Sequence, residues 1–69
     1  MTVYYELKAL RAKNNINQKK MADVLNITVS TYNRKENGLR SFLIEEAREI
    51  ANFFNKGIDE IFLPPKLPR

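Results

Sequence analysis

The chain has 69 residues, with 12 Lys and Arg against 8 Asp and Glu for a net charge of +4, and it contains neither cysteine nor histidine. That length allows one compact domain with a small core and leaves no room for a separate ligand-sensing or oligomerisation domain. Without cysteine or histidine there is no disulfide, no thiolate or imidazole metal site and no ordinary neutral-pH acid/base; the positive excess suits a polyanionic partner, though modestly.

The first helix is expected from about Val3 to Asn14, where Leu7 and Leu10 repeat at helical spacing and Tyr4 lies one turn earlier. Asn14 and Asn15 end it, because both residues favour turns over helix interiors. Ile16 is an apolar plug, and Asn17 offers a side-chain cap to a second helix, Gln18 to Leu25. Thr28 does the same for a third, Val29 to about Glu36, which Gly38 terminates after Asn37. A fourth helix spans about Phe42 to Asn55, with Ile44, Ala47, Ile50, Ala51 and Phe54 as its buried stripe. Leu43 sits where a capping side chain belongs, so Ser41 is the candidate in its place. A fifth, short helix from Ile58 to Phe62 turns Ile58, Ile61 and Phe62 inward. Pro64, Pro65 and Pro68 cannot continue it and make residues 64–69 a flexible tail. The expected fold class is therefore all-α, a compact five-helix bundle over residues 1–63. No apolar run is long enough to span a bilayer, and Met1 leads straight into a helical pattern without a signal peptide, so a soluble intracellular protein is expected.

Within this frame residues 18–38, QKKMADVLNITVSTYNRKENG, read as two short helices joined by a tight turn. Ala22 stands where the two helices pass closest, and a larger side chain there would separate them. Four residues on, Asn26 occupies a turn that needs left-handed backbone, where Asn is the most tolerant residue after Gly. Met21, Leu25, Ile27 and Tyr32 face inward, the hydroxyl of Tyr32 finding a surface partner. Small, turn-forming and apolar positions in this order make a helix-turn-helix unit (18–37), whose second helix is shaped to enter a DNA major groove. Catalysis is not supported. Glu45 and Glu46 point to different faces of one helix, and Glu46 and Glu49 look like solvated helix charges.

The resemblance to a known family is carried by LKALRAKNNINQKKMADVLNI, the ENG after the third helix, EEAREIA and the closing GIDEIF. Over about residues 5–62 the chain resembles the Cro/CI-type, or XRE, helix-turn-helix domain. The resemblance implies a lambda-repressor-like bundle and transcriptional regulation in a bacterial or bacteriophage setting, in the bacterial cytoplasm. It also implies double-stranded operator DNA as the partner, bound by homodimers, with no cofactor and no membrane. Gln18 matches the family glutamine that bonds phosphate and buttresses the recognition helix. Val29 and Ser30 match its exposed first turn, Asn33 and Arg34 its outward face one turn later, and Asn37 and Arg40 the phosphate-meeting loop; Thr28 caps the same helix on that side. Arg34 suits the forked contact to guanine and Val29 a thymine methyl. Arg11 and Glu36 match a pair that braces the first helix against the third.

Departures from the pattern support an alternative. Lys35 stands where most members place an apolar residue, its stem expected to cover apolar surface while its ammonium reaches water. Arg40 is the only charge between Gly38 and Glu45. A reading surface so thin in charge also fits an antirepressor, a modulator of repression that masks the DNA-binding surface of a partner repressor. Phe53, with Phe62 and Leu63, is a candidate apolar patch for association.

Overall fold

The computed structural model describes residues 3–62, all helix and connecting turns: α1 (Tyr5–Lys13), α2 (Gln18–Leu25), α3 (Val29–Glu36), α4 (Ile44–Phe54) and α5 (Ile58–Phe62). The proline-rich segment, and Leu63 before it, lie outside the described residues. α2 packs against α3 and α4, while α5 closes the bundle against α1 and α4.

The four longer helices end in one way. Asn15, Asn26, Gly38 and Asn55 take positive φ values of 57°, 58°, 78° and 56°. In each case the next residue's N–H donates back into the last turn: Ile16 to the Arg11 carbonyl, Ile27 to Ala22, Leu39 to Arg34 and Lys56 to Ala51. This is the Schellman ending, which satisfies carbonyls that a helix would otherwise strand. It also explains the plugs at Ile16 and Ile27, since the residue after such a turn is directed back over the helix it closes.

The starts divide into two kinds. Asn17 accepts from the Lys20 N–H and Thr28 from the Thr31 N–H, the side-chain caps expected at the starts of both helices of the helix-turn-helix unit. At α4 the device runs the other way: Leu43 has no acceptor to offer, and the Glu46 carboxylate accepts from the Leu43 N–H at 2.8 Å. Glu60 does the same for Gly57 at 2.7 Å. Ser41 therefore has no capping role at α4, whose first helical residue is Ile44, two residues after Phe42. Ile44, expected on the buried stripe, is 56% exposed. The stripe is carried by Ala47, Ile50 and Ala51, and the apolar contact at this corner comes from Phe42, ahead of the helix.

The core joins Leu7, Met21, Ala22, Leu25, Tyr32, Ile50, Ala51 and Ile61. Full burial of each larger side chain contributes about 1.5–3 kcal/mol. One end is aromatic: the rings of Tyr4, Phe42 and Phe62 pack edge to face with centroids 5.3–5.4 Å apart, and Tyr32 meets Phe42 at 6.1 Å. Phe62 is thus turned into the bundle, away from any patch with Phe53. Phe53 remains partly exposed and packs on Phe54.

Candidate nucleic-acid interface

The face of α3 that matters is set by what the other face buries. Tyr32, Lys35 and Glu36 are buried, and Val29, Ser30, Asn33 and Arg34 are all exposed. α3 therefore sits in the bundle along one stripe and presents the opposite stripe outward. Ala22 is buried against it, as the small residue at the α2–α3 crossing has to be.

Glu36 holds α3 in place. Its carboxylate is fully buried and accepts from Arg11 Nε at 2.7 Å, Arg11 Nη2 at 2.8 Å, Tyr32 Oη at 2.7 Å and Gln18 Nε2 at 3.0 Å. Arg11 also donates to the Ile16 carbonyl at 3.0 Å. One carboxylate thus ties α1, α2 and α3 together through a forked ion pair and two neutral donors. Burial is the largest single influence on Glu36 and opposes its ionisation. The bonds from Arg11, Tyr32 and Gln18 and the charge of Arg11 together outweigh it, so the carboxyl is held below its ordinary range. Its bond to Glu36 is also the main reason Arg11 is held more firmly protonated. The Tyr32 hydroxyl is pushed well above its ordinary value by burial first and by Glu36 second. Its partner is this buried carboxylate, not a surface group.

Gln18 extends the hub outward. With Nε2 committed to Glu36, its Oε1 accepts from Asn33 Nδ2 at 3.1 Å, so the amide bridges α2 to the exposed face of α3. One Nε2 proton is left for an outside acceptor. Asn37 is similarly engaged: Nδ2 donates to the Asn33 carbonyl at 2.8 Å, and Oδ1 accepts from Lys8 Nζ at 2.8 Å. Thr28 is exposed and occupied as a cap, its Oγ1 also meeting that of Thr31 at 2.9 Å. Arg40 is exposed in the turn beyond α3. The eight candidate positions thus gather along the α3 edge, but Gln18, Thr28 and Asn37 are built into the scaffold, while Val29, Ser30, Arg34 and Arg40 make no side-chain hydrogen bond among the described residues.

Lys35 departs from its expectation. Its ammonium does not reach water; it is buried and pairs with Glu46, which is correspondingly not a solvated helix charge. The same carboxylate oxygen caps α4 at Leu43, so one acid replaces both the apolar contact and the missing capping side chain. A glutamate three residues after an uncapped helix start was the available sequence signal.

A family model described as Helix-turn-helix matches residues 7–61. The chain belongs to the XRE-type, Cro/CI helix-turn-helix family. Its five helices are those of the lambda-repressor-like all-α fold, and as an XRE-type protein it is a DNA-binding regulator, of a family typically without enzymatic activity. No curated protein matches the chain. Among the described residues no helix is long and apolar enough to cross a membrane.

Proposed function

We propose that this XRE-type protein is a sequence-specific transcriptional regulator of bacterial or bacteriophage type that reads the major groove with α3. The observation that carries the reading is the division of α3 into a locked inner stripe and an exposed outer one. A recognition helix must be held rigidly while its reading side chains stay accessible, and the Glu36 hub and the exposed stripe of Val29, Ser30 and Arg34, with Asn33 exposed but bonded to Gln18, supply those two conditions. Arg34 is the group suited to a forked contact with guanine O6 and N7, Val29 to a thymine methyl, and Ser30 and Asn33 to base edges or the backbone. Gln18 offers its remaining amide proton to phosphate, with Thr28, Asn37 and Arg40 along the same edge. Two copies on a pseudo-palindromic operator would double this small set of base-reading groups.

The test is Arg34→Ala measured against a DNA sequence selected by the unaltered protein. The expected outcome is a loss of about 1–3 kcal/mol of discrimination at one base pair, with the melting temperature unchanged. Unchanged affinity and base preference would remove Arg34 from the reading set.

One observation favours the second reading, a modulator that masks another repressor. Leu39 and Leu43 are 60% and 58% exposed beside the end of α3, and Ile44 and Val29 are exposed as well. Apolar side chains so close to the reading stripe suit a protein partner. Under that reading Leu39→Ser abolishes capture of the partner repressor; under the first it leaves DNA affinity nearly intact.

A further inference from the structure

The turn after α3 is poor in cations, with Arg40 alone between Gly38 and Glu45. The fold brings another one there from a distant part of the chain. Lys8 lies 29 residues before Asn37, yet its Nζ donates to Asn37 Oδ1 at 2.8 Å. The same ammonium stands 5.8 Å from the ring centre of Tyr5, whose side chain is 71% exposed. Nearby, the Tyr4 N–H donates to the Glu36 carbonyl at 3.0 Å, which pins the start of α1 to the end of α3. Lys8 has no acidic partner among the described residues. Both polar ends of Asn37 are engaged within the protein, Nδ2 on the Asn33 carbonyl and Oδ1 on Lys8. Asn37 thus holds a cation through Oδ1, and, as in Gln18, one of its Nδ2 protons is left for an outside acceptor.

We propose that Lys8 is a DNA-phosphate contact, held by Asn37 at the edge of the reading face. The inference rests on the DNA-binding reading above and deepens it. α1 supplies the positive charge that the turn after α3 lacks, and Asn37 acts through Lys8 as a strut. An ammonium in that place neutralises backbone charge without regard to sequence, and its contribution appears in the salt dependence of binding.

The test is the slope of log affinity against log salt concentration for the full chain on one DNA duplex, with Lys8→Met and Lys13→Met as variants. Lys13 lies at the other end of α1, away from Asn37, and serves as the control. Loss of one phosphate contact lowers the slope by about 0.9, so a fourfold rise in salt weakens Lys8→Met about 3.5-fold less than the unaltered chain. The base preference and melting temperature of Lys8→Met should stay unchanged, and Lys13→Met should keep the full slope. A full slope in Lys8→Met, or an equal reduction in Lys13→Met, overturns the proposal while leaving the DNA-binding reading in place. An unaltered chain whose DNA binding shows no salt dependence overturns both.

Discussion

Replacing Glu36 by Ala removes the acceptor shared by Arg11, Tyr32 and Gln18. Removing one partner of a buried ion pair costs about 3–5 kcal/mol, because the other charge stays in place without compensation. The Arg11 side chain is 16% exposed and keeps its bond to the Ile16 carbonyl, which sets this part near the lower end. The Tyr32 hydroxyl is left buried without an acceptor and adds about 1 kcal/mol, for a total of about 4 kcal/mol. A chain of this length has about 3–10 kcal/mol of stability in all. In a domain of this size 1 kcal/mol moves the melting temperature by about 4–8 °C, so Glu36→Ala should melt about 20 °C lower by far-UV circular dichroism, or be unfolded at 25 °C. Tyr32→Phe provides an internal check. Alone it costs about 1 kcal/mol, whereas in the Glu36→Ala background it deletes the stranded hydroxyl and restores stability. A melting temperature lowered by less than about 4 °C, or a Tyr32→Phe effect of the same sign in both backgrounds, would refute the hub.

The other perturbations follow from single features. Glu46→Ala strands the buried Lys35 ammonium and the Leu43 N–H together and should cost about 3 kcal/mol or more; Lys35→Met keeps the cap and much of the packing and should cost less, an ordering that urea midpoints of the two variants check directly. Asn26→Ala forces a Cβ with no side-chain amide into left-handed backbone and should cost about 1–2 kcal/mol, while Asn26→Gly should be nearly neutral; equal melting temperatures would discard the turn argument. Because Glu36 is held below its ordinary value of 4.5, its contribution is complete above that pH and is lost as acid takes the folded protein through the lowered value. Tyr32, raised above its ordinary 10.0, contributes fully below that pH and loses its contribution as the pH climbs beyond it. Melting scans should show a plateau between these limits, and stability that rises on acidification below pH 4.5 would contradict the assignment of Glu36.

What could be read in the sequence was local. Asn17, Thr28, Asn26 and Gly38 act through their own backbone neighbourhood, and their residue types are sufficient to announce them. Periodicity placed all five helices within two residues at each end, the starts of α1 and α4 each two residues early, and at α4 Phe42 packs against the core without being helical. The Arg11–Glu36 brace was legible only through the family resemblance, since nothing in the spacing of two residues 25 apart implies contact. What was missed is long-range and polar. Lys35 looked like a snorkelling lysine because its partner, Glu46, belongs to another helix whose own cap was misassigned. Lys8 looked like an ordinary outward lysine because only the folded bundle brings Asn37 to it. Among the candidate site residues, exposure of the α3 stripe came from the family resemblance, with Tyr32 alone marking the inner face, and the internal engagement of Gln18 and Asn37 depends on where the Glu36 carboxylate and the Lys8 ammonium lie.

The central claim is that α3 reads base sequence, and the most direct test is equilibrium binding of the unaltered chain to a selected DNA site and to random duplex at the same salt concentration. The account predicts that the selected site binds at least about a thousandfold tighter. Equal affinity for both duplexes, from a chain folded as described, would contradict it.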